Sequence, residues 1–181
     1  MFYMPKYHNL PDGRQVFLRF PQPEQDAEGM LAFFNTVRAE TPFLSEGPDD
    51  SLTVEKEAQI LTSLNQSPTQ MMVVAMVGNE IAGNSLLRLN TKSRFAHRAT
   101  MAIALRQKYW GQGIGKLLVQ AVIDTAIQKG VDYLELEVVA DNLRAIGLYE
   151  RMGFERLGCL PDAIRWEDDS SHDLLTMRKT L

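Results

Sequence analysis

The sequence predicts an α+β fold, with a mixed, mostly antiparallel sheet of about six to seven strands flanked by about four helices. Three observations carry this expectation. Segments of period two alternate with segments of helical period along the whole chain. Gly78-Asn79 is a two-residue hairpin signal between two apolar runs. "YWGQGIGKLL", residues 109–118, places a glycine-rich stretch directly ahead of a helical apolar pattern.

The elements follow in order. Residues 1–14 contain Pro and Gly, lack periodicity and read as an N-terminal arm. Gln15–Phe20, "QVFLRF", is a short strand closed by Pro21 and Pro23. From Gln25 to Glu40, Ala27, Met30, Leu31, Phe34 and Val37 mark one helical face, and Pro42 stops it. "TPFLSEGPDD" is a loop, and Thr53–Leu64 is a second helix whose Glu55 and Glu57 suit the positive end of its dipole. "MMVVAMV" and "EIAGNSLLRL" are the arms of the hairpin. In "ATMAIAL", Ala99, Met101, Ile103 and Leu105 share one face, and the small Thr100, Ala102 and Ala104 share the other, where something packs closely.

The helix after the glycines carries Ile114, Leu117, Leu118, Ala121, Val122 and Thr125 on one stripe. It ends at Lys129-Gly130, a cationic last turn with a C′ glycine. "VDYLELEVV" is a strand, and "DNLRAIGLYERMGF" is a short helix stopped by Gly153. A strand around Arg156–Leu160, an acidic loop "WEDDSSHD" and a last strand "LLTMRK" complete residues 15–181 as one domain.

Composition narrows the class. The chain has 181 residues, 45% hydrophobic and 23% charged, which is ordinary for a soluble globular protein. The net charge of -4 argues against nucleic acid as a partner, because such proteins present a basic face. One cysteine, Cys159, excludes an intrachain disulfide and reads as a small buried or half-buried hydrophobe. The start lacks a signal pattern and no apolar run approaches a membrane span, so a cytoplasmic, membrane-free protein is expected. His8 and His172 lack metal-ligand spacing, so no metal is expected.

Two readings fit the glycine stretch: a tight turn, or a cradle for an anion. A helix N-terminus leaves backbone N–H groups free at the positive end of its dipole, and glycines let a ligand approach them. Familiar phosphate loops do not match. The P-loop needs four residues between its glycine and Gly-Lys, whereas Gly111 to Gly115 leaves three, and Leu117 replaces Ser or Thr. The dinucleotide fingerprint needs a third glycine where Lys116 stands, although Glu135 or Glu137 lies where that fold binds ribose.

Taken with "LELEVVADNLRAIGLYERMGF", this stretch resembles the Gcn5-related N-acetyltransferases (GNAT). Their loop pattern, Gln/Arg-x-x-Gly-x-Gly/Ala, is met by Trp110-Gly111-Gln112-Gly113-Ile114-Gly115, with Trp110 where Gln or Arg is usual. The likeness is strongest over residues 97–158, and the order of elements agrees over residues 15–181. It implies transfer of acetyl from acetyl-CoA to an amine of a small molecule, amino acid or peptide. By the resemblance, the amides of Gly111, Gln112, Gly113, Ile114, Gly115 and Lys116 would hold the pyrophosphate. Backbone groups of Ile103, Ala104 and Leu105 would pair with pantetheine, and Asn142, the N-cap of the last helix, would touch the same arm. An N–H of that strand would polarise the thioester carbonyl.

The resemblance also implies catalytic residues. Tyr149 matches the tyrosine of the family's L-Y-x-x-x-G-F run, which protonates the leaving thiolate. From the pattern alone it is equally an aromatic on the stripe of Ala145 and Met152. Many members carry a base glutamate on the strand before the loop, but that position is Thr100. Glu137, twelve residues before Tyr149, is the base expected here, with Glu135, His97 or a water chain as alternatives. Glu167, Asp168, Asp169 and Asp173 read as a solvated hairpin loop or a lure for a cationic amine. Dimerisation, common in the family, is compatible with the chain. Two rival readings are a catalytically silent acyl-CoA-binding module and a nicotinamide-dependent oxidoreductase.

Overall fold

The computed structural model describes residues 3–44 and 52–181. Residues 45–50 of the expected "TPFLSEGPDD" loop lie outside the described residues. Eight strands form one sheet: β1 (Lys6–Asn9), β2 (Gln15–Arg19), β3 (Gln70–Val77), β4 (Glu80–Leu89), β5 (Arg98–Leu105), β6 (Tyr133–Val139), β7 (Glu155–Arg165) and β8 (Ser171–Thr180). Four helices cover it: α1 (Pro23–Glu40), α2 (Val54–Gln66), α3 (Ile114–Gln128) and α4 (Leu143–Arg151).

The spatial order is β1-β2-β3-β4-β5-β6-β8-β7. Every pairing is antiparallel except β5 with β6, which are joined through α3 and run parallel. One strand exceeds the expected number. Part of the expected arm is β1, pinned by antiparallel register from Lys6↔Leu18 to Asn9↔Gln15 and by stacking of Tyr7 on Phe17. Cross-strand pairing supplied the order that local periodicity did not announce.

The sheet divides the core in two. On one face, Met71, Val73, Leu87, Ala99, Met101, Leu134 and Leu136 meet Ile114, Leu118 and Val122 of α3. On the other, Met72, Val74, Ile81 and Ala104 meet Met30, Phe33 and Val37 of α1 and Leu61 of α2. The expected alternation of β5 therefore holds, with each fully buried side chain of this size worth about 1.5–3 kcal/mol. Thr53 caps α2 by accepting a hydrogen bond from Lys56 N at 3.3 Å. Buried Asp26 accepts from Arg19 Nη1 at 2.5 Å and from Gln22 N at 2.6 Å, tying β2 to the start of α1.

β7 departs from expectation in length and exposure. It runs through residue 165, with a register shift between Leu160 and Ile164 where Asp162 takes φ 50°. Cys159 lies on it and is exposed, contrary to the buried or half-buried position expected. An edge strand lacks a covering layer here, so a small apolar residue stays in solvent. Partial desolvation and the Asp173 carboxylate, 3.5 Å from its sulfur, raise its thiol pKa.

Candidate active site

The glycine stretch becomes a rigid turn between β5 and α3. Gly111 and Gly113 take φ 76° and 89°, a region in which side-chain-bearing residues are strained. Gly115 serves packing instead, because a Cβ there would meet Leu148 Cδ2 of α4 at 3.2 Å. None of the N–H groups of Gly111, Gln112, Gly113, Ile114, Gly115 and Lys116 has an acceptor among the described residues. These six donors gather at the positive end of the α3 dipole, a donor set that fits a diphosphate.

Residues far away in sequence hold this turn in place. Glu80, the first residue of β4, accepts from Tyr109 Oη at 2.7 Å and Lys108 Nζ at 2.6 Å and also pairs with Arg106. Gln107 is bound to Glu40 of α1 through N at 2.7 Å and Nε2 at 2.5 Å. Arg14 Nη2 donates to Gln112 Oε1 at 2.6 Å. Sequence reasoning missed Glu80 and Glu40, whose role depends on which carboxylates the hairpin and α1 bring to the loop.

β5 and β6 pair only over Arg98↔Tyr133, Ala99↔Leu134 and Thr100↔Glu135. Beyond Thr100 the strands part, and a cleft of about 1480 Å³ opens between them, floored by α3 and walled by α4. Hydrogen-bond directions alternate along a strand. Arg106 N bonds to Ala82 O on the β4 side, whereas His97 O accepts from Asp132 N on the β6 side. Ile103 and Leu105 therefore turn their backbone groups into the gap, and Ala104 turns its own towards β4. Ala104 contributes its buried methyl to the α1 face.

Trp110, the departure from the family loop, has its own task. Its Nε1 donates to Leu105 O at 2.8 Å, and the Arg144 guanidinium lies 4.7 Å from its ring centre. Trp110 and Arg144 thus bridge the two lips of the cleft. On the α4 side, Asn142 accepts from Ala145 N at 3.1 Å and caps the helix as expected. Tyr149 lines the cleft at 6% exposure, beside Phe154, and its hydroxyl has no hydrogen bond among the described residues. Burial pushes its pKa well above the usual phenol range, so the hydroxyl keeps its proton.

The two strand glutamates have opposite environments. Glu135 is buried and clamped by Arg98 Nη2 at 2.6 Å and Arg178 Nη2 at 2.6 Å. Burial alone would raise its pKa, but the two guanidiniums outweigh burial and lower it. A carboxylate so held is a poor proton acceptor. Glu137 is exposed, lines the cleft, and sits opposite Thr176 of β8. His97 stands outside the cleft lining, edge-on to Tyr133 with ring centres 6.0 Å apart. Thr100 lines the cleft on the sheet face opposite α3, between Arg88 and Glu135 in register.

The acidic loop has structural duties. Asp168 accepts from Ser170 N at 3.0 Å and Ser170 Oγ at 2.5 Å. His172 stacks on Trp166 and contacts Asp141 Oδ2 at 2.6 Å, so the β7–β8 hairpin is fastened to the approach to α4. Among the described residues no group of three or more His, Cys, Asp or Glu is placed to hold a metal ion. No helix among them is long and apolar enough to cross a membrane.

The site this fold presents is thus a parted pair of parallel strands facing a helix N-terminus rich in free amides. The model of the Acetyltransferase (GNAT) family matches residues 32–154, and this chain belongs to that family. A GNAT-family acetyltransferase from Streptococcus pneumoniae superposes with TM-score 0.84 at 29% identity, covering 92% of this chain and 99% of that one. N-alpha-acetyltransferase 30 of Xenopus laevis is 34% identical over 88 residues, 48% of this chain and 32% of that protein. The [ribosomal protein bS18]-alanine N-acetyltransferase of Escherichia coli K12 is 46% identical over 52 residues, 29% of this chain and 35% of that protein. The chain thus matches about a third of the length of these two relatives.

Proposed function

We propose that the chain is one N-acetyltransferase domain that transfers acetyl from acetyl-CoA to a primary amine by direct attack in a ternary complex. The observation that carries this is the row of six unpartnered amides, Gly111 to Lys116, at the mouth of the parted β5–β6 gap. Bound acetyl-CoA supplies the acetyl thioester that the amine attacks. The amides hold the diphosphate, with the Lys116 ammonium beside them, and the backbone groups of Ile103 and Leu105 align the pantetheine arm. Asn142 borders the same arm from α4.

Two side chains move protons. An acceptor amine with a pKa of about 10 arrives protonated at neutral pH. Glu137, exposed in the cleft and free of the arginines that hold Glu135, takes that proton directly or through water. Tyr149 Oη, kept protonated by burial, delivers a proton to the departing sulfur. An N–H of β5 directed into the gap polarises the thioester carbonyl. The relatives named as an N-alpha-acetyltransferase and a ribosomal-protein-alanine N-acetyltransferase support an amine acceptor without limiting it to peptides.

The test is thiol release from acetyl-CoA against free amino acids, polyamines, aminoglycosides and N-terminal peptides. Turnover of at least one amine, lowered about 10²–10⁴-fold in Glu137→Gln, is expected. Tight acetyl-CoA binding without turnover across the panel would favour a silent acyl-CoA-binding module. Saturable NAD(P) binding with no effect of acetyl-CoA on Tm would favour an oxidoreductase.

A further inference from the structure

We propose that Arg88 is the anion-binding residue of the acceptor subsite and holds the carboxylate of a free α-amino acid; this rests on the acetyltransferase reading above. Arg88 lies on β4 on the same sheet face as Leu86, directly in register with Thr100, which is in register with Glu135. The row therefore reads Arg88, Thr100, Glu135, Arg178 across four strands. Arg98 and Arg178 are engaged with Glu135, whereas Arg88 is exposed and has no ion pair or side-chain hydrogen bond among the described residues. With Glu137 one same-face step along β6, three guanidiniums stand against two carboxylates on this face, a local excess of one positive charge in a chain whose net charge is -4. An incoming carboxylate balances it, with the bidentate geometry that a guanidinium favours.

The position of this charge relative to the chemistry sets the size of the acceptor. Glu137 lies one same-face step along β6 from Glu135, a rise of about 6.6–6.8 Å. Arg88 and Glu137 both line the main cleft on the sheet face that carries the small residues Thr100 and Ala102 between them. An α-amino acid carries its ammonium and carboxylate on one carbon, so it can present one group to each of them. A polyamine has no anion for Arg88, and a polypeptide N-terminus carries an amide in place of that carboxylate. A second cavity of about 490 Å³ continues past the row, lined by Arg88, Asn90, Thr91, Phe95 and Arg98, and offers room for the amino-acid side chain.

The experiment compares the twenty standard L-amino acids with their α-carboxamides, which lack only the anion, in the intact protein and in Arg88→Gln and Arg88→Lys. Thiol release gives KM for each, and titration calorimetry in the presence of CoA gives binding without turnover. At least one free acid is expected to be preferred over its amide tenfold or more, a preference that collapses in Arg88→Gln and partly returns in Arg88→Lys, with unchanged Tm. Equal use of acid and amide, or a preference for peptides that is indifferent to Arg88, overturns the proposal while leaving the acetyltransferase reading intact. Arg88-dependent binding of free acids without any turnover does the reverse: it supports the subsite and sinks the reading on which it was built. No binding or turnover of any free acid overturns the subsite as well.

Discussion

Arg98 Nη2 lies 2.6 Å from Glu135 Oε2, so the last parallel pairing before β5 and β6 separate is locked by an ion pair. Arg178 of β8 grips the same carboxylate, and the three strands bordering the cleft are clasped at its closed end. The clasp sits where the sheet would otherwise continue to open. It also makes Glu135 a poor proton acceptor, which is why the proposed base is Glu137.

Glu135→Gln is expected to destabilise the fold by about 1–3 kcal/mol, because two partly exposed guanidiniums lose their charged acceptor. The pH dependence has a definite sign. A carboxyl whose folded pKa is lowered stabilises above its unfolded value of about 4.3, and this contribution fades as pH falls through the folded pKa. Asp26, likewise lowered against the cost of burial by Arg19, adds to the same acid loss. Urea unfolding of the intact protein and Glu135→Gln should converge as pH drops below about 4. A constant gap across that range would contradict the assignment.

Tyr149→Phe is expected to lower kcat by about 10–100-fold, a modest share of general acid catalysis, with little change in acetyl-CoA affinity. Its phenol is raised above its usual range, so ionisation of Tyr149 should not produce an alkaline limb below pH 10. A rate profile for the intact protein and the variant settles both points. An unchanged kcat would reduce Tyr149 to a packing residue.

Gly113→Ala and Gly130→Ala provide a matched pair. Both glycines have positive φ, 89° and 68°, and neither has an atom within 4 Å of an added Cβ. Each substitution should cost about 1–2 kcal/mol of stability through backbone strain, read by urea denaturation. Only Gly113→Ala should also weaken acetyl-CoA binding in calorimetry, because only Gly113 shapes the amide row. Equal binding by the two variants would count against that row as the diphosphate site.

The Trp110–Arg144 bridge should be measurable as a coupling. A double-mutant cycle with Trp110→Leu and Arg144→Gln is expected to return about 0.5–1 kcal/mol, the range for a cation–π contact near solvent. Additive effects would mean that the two lips of the cleft are independent.

Local patterns were legible wherever a backbone conformation did the work. The glycines at 111 and 113 and the cap at Asn142 lie in short stretches whose spacing already constrains the chain. The faces of β5 followed from alternation alone and recur in the two cores. β1 escaped notice because a four-residue exposed strand carries little hydrophobic signal and exists through its partner. Cys159 was misplaced because edge exposure is a property of the sheet order, not of the residue type.

The proposed donor side is written in consecutive residues. A turn that must leave amides free before a helix demands glycines at fixed intervals, and such a demand stays local. The proposed acceptor side is assembled by the sheet. Arg88, Thr100, Glu135 and Arg178 come from four strands, and register alone decides that they share a row. Glu135 and Glu137 are two residues apart, have the same side chain and point to the same face. Tertiary structure gave the first two arginines and left the second open to the cleft, because charge pairing depends on neighbours that sequence spacing does not specify.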